Sequence, residues 1–344
     1  MYVFGDSFDL YGTTSDAGQS YWDVANAPAN ATLATGRFSG GRAWGHNIST
    51  SLVKLSGSND AVHHVVVAYF QTAALSGTTL GAYIELFDGA TAQCSIVFRS
   101  DGVILLTSGG PTGTVLATYT GAVTIASQWF AFEFEVVINN TTGSFRARVN
   151  NATSDSFAAT SLNTRVSANN YANKIQIGMQ ANVVGAAFDD LLWRSDPASV
   201  PWVGDIRTYV RMPASDVSKQ FTPNSGTANY SRVNEAQQDG ATTYVYDNVV
   251  NDADFYTIST IPVTPASIVA VTARGFAQKS DAGSRTGALQ LKSGGTTVQA
   301  PNGQTLSAGL WASLWGTYLT DPATGTAWTP TGVNNVQIGP VVLS

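Results

Sequence analysis

Apolar and polar residues alternate with a period of two along most of the chain. The clearest run is WFAFEFEVVI, Trp129 to Ile138. Phe130, Phe132, Phe134 and Val136 share one face there, and Ala131, Glu133, Glu135 and Val137 the other. After the turn cluster NNTTG, the run SFRARVN puts Phe145, Ala147 and Val149 on one face and Arg146 and Arg148 on the other. The pair predicts a hairpin whose polar face sets two glutamates against two arginines. Further strands are predicted in AVHHVVVAYFQT, LGAYIELFDG, CSIVFRSDG, VILLTSG, VLATYTG and KIQIGMQANV, separated by turn residues at short intervals. No capped stretch with a 3.6-residue period occurs in the first 195 residues, so little helix is expected. The pattern is that of an all-β sandwich or jelly roll.

Between Ala186 and Val210 the sequence reads AAFDDLLWRSDPASVPWVGDIRTYV. A strand, a proline-flanked joint and a second alternating run follow one another. The alternating style then continues in TTYVYD, DFYTIST, SIVAVTARGFAQ, GALQLKSGG and VQIGPVVL. Two β domains are expected: residues 1–195, a linker over 196–204, and a β-sandwich-like module over 205–344. Trp193 and Trp202 flank the joint and are expected to pack the two domains together.

The chain has 344 residues, 12% of them charged, with a net charge of −6. That charged share is about half the usual ~25%. Without a Lys/Arg run, nothing would neutralise a phosphate backbone, and nucleic-acid binding is excluded from the expected functions. The longest apolar run, VVVAYF, is too short to span a bilayer, so no membrane partner is expected. The start, MYVFGDSFDLYG, has neither the basic segment nor the apolar stretch of a signal peptide. Cys94 is the single cysteine, so no intrachain disulfide forms, and it reads as a small buried hydrophobe.

Three stretches of the first 195 residues resemble the concanavalin A-like jelly roll in its laminin-G or pentraxin form. They are GDSFDLYG at the start, ATGRFSGGRAWGHN over Ala34 to Asn47, and GAAFDDLLWRS over Gly185 to Ser195. The resemblance implies that the last strand lies beside the first. The later stretches WVGDIRTYVRMP, YVYDN, DADFYTIS and DPATGTAWTPTGVNNVQIGPVV are similar to a β module of tailed-bacteriophage structural proteins. It implies a virion component of tail, fibre, baseplate or head surface, assembled in the host cytoplasm. Its expected partners are other virion proteins, further copies of itself, and host-surface polysaccharide. A capsid decoration protein without a ligand, and a glycan hydrolase on the jelly roll, are the alternatives.

Hydrolases on this jelly roll carry three acids along one strand. Glu133 and Glu135 would stand about 7 Å apart by strand geometry, within the range for two carboxylates acting on a glycosidic bond. The third position is Ile138, however, and Arg146 and Arg148 face the pair. A general acid needs a raised pKa, so no catalytic residues are expected. His63 and His64 point to opposite faces of one strand and cannot share a metal. The resemblance implies calcium as the one candidate ion, with Asp88, Asp101, Asp189 and Asp190 as candidate ligands. Asp88-Gly89 and Asp101-Gly102 also read as ordinary turns, and Asp189 and Asp190 alternate sides, so one of them must face solvent. Tyr21 and Trp22, in the polar stretch GQSYWD, are the candidate exposed aromatics for a sugar.

Overall fold

A computed structural model of the chain describes residues 1–18, 21–26, 31–46, 50–72, 77–124, 126–179, 185–300 and 303–344, apart from the side chains at 18, 26 and 46. Nearly all of its regular structure is β, with one α-helix, Pro330–Asn334, among the described residues. Thr329 caps that helix by accepting the Gly332 N–H, and Pro330 opens it, where no N–H is needed. No helix among the described residues is long and apolar enough to cross a membrane.

Two compact units divide the chain. The first is Met1–Gly18 with Trp22–Thr208, and the second is Tyr209–Ser344 together with Tyr21. The first unit is a sandwich of two antiparallel sheets. Its eight-stranded sheet runs Phe157–Leu162, Gly143–Val149, Phe130–Val137, Val62–Gln71, Ala186–Asp196, Arg42–His46 and Ala31–Thr35, with Tyr2–Asp6 also paired to Ala186–Asp196. The first strand thus lies beside the last, Phe4 opposite Trp193. The seven-stranded sheet runs Val115–Tyr119, Ile104–Ser108, Thr91–Arg99, Leu80–Asp88, Ala172–Met179, Thr50–Asp60 and Val24–Asn26.

Alternation decides what fills the space between the sheets. Val65, Val67, Tyr69, Phe132 and Phe134 point inward from one sheet, and Ile84, Leu86, Ile96, Phe98 and Ile177 from the other, all buried. Tyr69 and Phe98 meet across the layer with ring centroids 4.4 Å apart. Cys94 is buried in this sandwich, and burial pushes its thiol well up. His63 also points inward, under Trp193, and burial lowers it to about 4. The hairpin register sets Glu133 opposite Arg148 and Glu135 opposite Arg146, as the alternation predicts.

Two expectations of regularity fail here. Between Asp189 and Leu192 the strand bulges, with Asp190 at φ 47°. The extra residue breaks the alternation, and both Asp189 and Asp190 are buried. The run DIRTYVRM forms no strand before Pro213; residues 199–208 instead lie over the outer face of the first unit's own eight-stranded sheet. Trp193 and Trp202 accordingly pack within the first unit. Trp193 is in its core, donating from Nε1 to His63 Nδ1 at 3.3 Å.

The second unit is built on a six-stranded sheet containing Pro213–Ser218, Phe255–Ile258, Gln337–Val342, Arg285–Ser293, Thr296–Gln299 and Gln304–Leu306. The ribbon Val271–Ala277 with Ala312–Tyr318 packs on it through Leu289 and Leu314. Trp328, Leu291, Val333 and Val336 make a second cluster.

Candidate functional site

The outer face of the eight-stranded sheet carries the even positions of Val62–Gln71 and the odd positions of Phe130–Val137. Cross-strand register divides this face into two halves of different chemistry.

At one end stand His64, Glu133, Glu135, Arg146, Arg148 and Arg194, and a strap, Ser199–Thr208, covers them. The Glu133 carboxylate accepts the N–H groups of Val203 at 2.6 Å and Gly204 at 3.0 Å. Glu135 accepts from Ser199 Oγ at 2.7 Å and from Arg146 Nε at 3.0 Å. The Trp202 ring lies under two guanidinium groups, Arg146 at 4.8 Å and Arg148 at 4.6 Å from its centroid. Arg194 donates to the Pro201 carbonyl, and Arg37 forms a two-pronged ion pair with Asp205. Both glutamates of the hydrolase alternative are therefore buried and bonded to the chain's own donors. Arg148 pairs with Asp155 rather than with Glu133.

At the other end no described residue of the strap covers the same face. Ala187 pairs with Phe70 on one side and Gly45 on the other, and Gly45 pairs with Thr32. Phe130 pairs with Tyr69, which brings the preceding Trp129 beside Phe70, with ring centroids 5.2 Å apart and planes tilted 38°. A cavity of about 430 Å³ runs along this row and is lined by Trp129, Phe70, Ala187, Gly45, Ala34 and Thr32, with Thr35 and Thr72 also in its lining. Small residues make its floor because the strands need them: a Cβ on Gly45 would lie 3.1 Å from both Ala34 Cβ and Thr32 Oγ1. No ionisable side chain lines the cavity among the described residues. A half-exposed aromatic wall, a flat apolar floor and threonine hydroxyls match the two sides of a sugar ring, one apolar and one hydroxyl-bearing.

Tyr21 and Trp22 take no part in this groove. Trp22 is fully buried against Phe4 and Phe8 and donates from Nε1 to Asp6 Oδ2 at 2.8 Å. Tyr21 is also buried, with its ring edge-on to Trp315 and beneath the Arg274 guanidinium. The polar neighbours in GQSYWD masked two core rings. The groove aromatics were missed, although Trp129 is in phase with Glu133 and Phe70 with His64, which already assigns both to the outer face.

The four candidate calcium ligands do not converge. Asp88 Oδ2 accepts from Ser167 Oγ at 2.7 Å and Asn169 Nδ2 at 2.9 Å, holding a loop to a hairpin end. Asp101 is paired with Arg99, which holds its carboxyl below the usual range. Asp189 accepts the N–H groups of Arg37 and Asp190, each at 2.7 Å, and Asp190 accepts the Thr208 N–H at 2.7 Å. Arg37 Nη1 stands 4.0 Å from Asp190 Oδ2, where a cation would have to sit. Burial and the neighbouring Asp190 push Asp189 up to about 7, and burial raises Asp190 to about 6. No cluster of three or more His, Cys, Asp or Glu able to hold a metal occurs among the described residues.

No family model and no curated protein sequence matches the chain. Solved structures similar to it include domain 4 of AbnA, a GH43 extracellular arabinanase from Geobacillus stearothermophilus, in complex with arabinotriose. That domain is 16% identical, with a TM-score of 0.32, over 48% of this chain and 75% of that one. Another is the Ca²⁺-bound VIP36 exoplasmic/lumenal domain, 8% identical, with a TM-score of 0.37, over 61% and 97%. A third is the CBM2 module of the evolved Dit of Lactobacillus casei BL23 phage J-1, 12% identical, with a TM-score of 0.32, over 49% and 88%.

Proposed function

We propose that the chain is a non-catalytic, glycan-binding structural component of a tailed-phage virion, and that its sugar site is the groove between Trp129 and Thr32. One observation carries the binding role: the half of the outer sheet face beyond the strap holds a cavity of about 430 Å³ with two aromatic rings at one end and threonines along it. That volume lies in the usual range for ligand sites, about 300–1,000 Å³. The two acidic side chains nearest in kind to a glycosidase pair are occupied by strap N–H groups and an arginine, which argues against hydrolysis.

The virion setting rests on the resemblance of the stretches between Trp202 and Val342 to phage structural modules, and on the low charge. A surface with few ions loses little on desolvation when copies or neighbours pack against it. Host-surface polysaccharide is the ligand, and other virion proteins and further copies of the chain are the partners.

Binding of the purified chain to host envelope polysaccharide, measured by calorimetry, tests this reading. Trp129→Ala and Phe70→Ala should abolish binding while leaving the melting transition in place. Retained binding in both would remove the groove from the function. Antibody labelling of purified particles tests the setting, and absence of the chain from them would refute it.

A further inference from the structure

From the groove's chemistry and direction we infer that its ligand is an uncharged polysaccharide, held along the interior of the chain across the strands. This rests on the glycan-binding reading of the same groove. Two observations lead to it.

The first is charge. Among the described residues, the ionisable side chains placed on this sheet face are Glu133, Glu135, Arg146, Arg148, Arg194 and His64, with Asp189 opposite Ala68 and Asp190 beside it, and each is engaged by the strap or by other groups of the chain. Among the described residues the cavity wall is made of Thr, Ala, Gly, Phe and Trp. A uronate, sialate or phosphate entering it would give up water and meet no cation among the described wall residues. Burying an unpaired anion is costly enough to select against such polymers. An uncharged sugar needs only hydroxyl partners and an apolar surface, and both are present.

The second is direction. The cavity touches five neighbouring strands in one lateral row, Trp129, Phe70, Ala187, Gly45 and Thr32. At about 4.8 Å between strands, the row is about 19 Å long, more than a single ring occupies. Between Phe70 and Thr32 the row is Ala187 and Gly45, with Ala34 beside them, so no large side chain among the described residues divides it into a closed pocket for one terminal sugar. The rings of Trp129 and Phe70 stand at one end, where one sugar stacks, and the threonines lie further along, where the next rings offer hydroxyls.

The experiment is calorimetry of the full chain with uncharged hexose oligosaccharides of increasing length and with uronic-acid oligosaccharides of matching length, at low and high salt. Affinity for the neutral series should rise with length beyond the disaccharide. It should be insensitive to salt, because no ion pair forms. The uronates should bind at least about tenfold more weakly. Ala34→Phe, which fills the floor, should remove binding, and Trp129→Ala should do the same from the wall. Equal or tighter uronate binding that is still lost in both variants would overturn the inference and leave the groove as a glycan site. A disaccharide binding as tightly as the longest oligomer would overturn the lengthwise placement. Binding unaffected by either variant, or no binding by any oligomer, would overturn the glycan reading itself.

Discussion

His64 Nε2 stands 2.7 Å from Glu133 Oε1, and both side chains are buried under the strap that leaves the sandwich. The imidazole is held as a relay: its Nδ1 faces the Arg194 guanidinium at 3.0 Å, so the proton belongs on Nε2, towards the carboxylate. Burial lowers the His64 pKa, Arg194 lowers it further, and the bond to Glu133 opposes both. Glu133 therefore joins a buried cation, a neutral imidazole and two strap N–H groups.

Removing that carboxylate should loosen the strap. Glu133→Ala leaves His64 Nε2 and the N–H groups of Val203 and Gly204 without their acceptor, and removes the negative charge nearest Arg194. Removing one partner from such a buried charged network costs about 3–5 kcal/mol. The expected result is a matching fall in denaturant stability and faster proteolysis within residues 199–208. Unchanged cleavage there would show that the strap's other anchors, Glu135, Arg194, Arg37 and Asp190, hold it without Glu133.

Asp189 and Asp190 predict a pH dependence of definite sign. Their folded values, about 7 and about 6, lie above the ordinary 3.8, so the folded state holds protons that the unfolded chain releases. Their contribution therefore falls as pH rises from roughly 4 towards 7. His63, lowered to about 4, acts in the opposite sense below roughly 6.5, because only the unfolded chain takes up its proton. Comparison with Asp189→Asn and Asp190→Asn isolates the aspartate part. Both variants should flatten the decline between roughly pH 4 and 7. Melting curves with the same slope as the unchanged protein would contradict the raised values.

No glycosidic bond should be cut. The purified chain should release no reducing sugar from envelope polysaccharide above background, and Glu133→Gln should not change that. A reproducible activity lost in Glu133→Gln would require the strap to lift and expose the acid pair.

Gly45 should be intolerant of side chains for two separable reasons. A Cβ there meets Ala34 and Thr32 at 3.1 Å, and any larger group rises into the groove floor. Gly45→Val should abolish saccharide binding and lower stability by about 1–3 kcal/mol, as overpacking does. Gly45→Ala should keep most of the stability and weaken binding. Full binding in Gly45→Val would place the sugar elsewhere.

Most of the sandwich was legible because a period of two assigns faces without any knowledge of partners. Phe132 and Phe134 inward, Glu133 and Glu135 outward, and the register against Arg146 and Arg148 all followed from alternation and one turn. The candidate site was less legible. Trp129 and Phe70 could be assigned to the outer face, yet nothing in the sequence brings Ala187, Gly45 and Thr32 into their row, since those pairings join segments far apart in the chain.

The sequence by itself determined the all-β class, the faces of the strands and the low charge, without a Lys/Arg run, that argues against a phosphate-backbone partner. Each depends on local period or composition. Only the tertiary structure decided that Asp189 and Asp190 are both buried, because a bulge cancels alternation. It also decided that Tyr21 and Trp22 are covered, because burial depends on what packs above a ring. The strap is the clearest case: PASVPWVGDIR reads as a joint between strands, and buried carboxylates and arginines contributed from distant strands lay it back across one half of its own sheet.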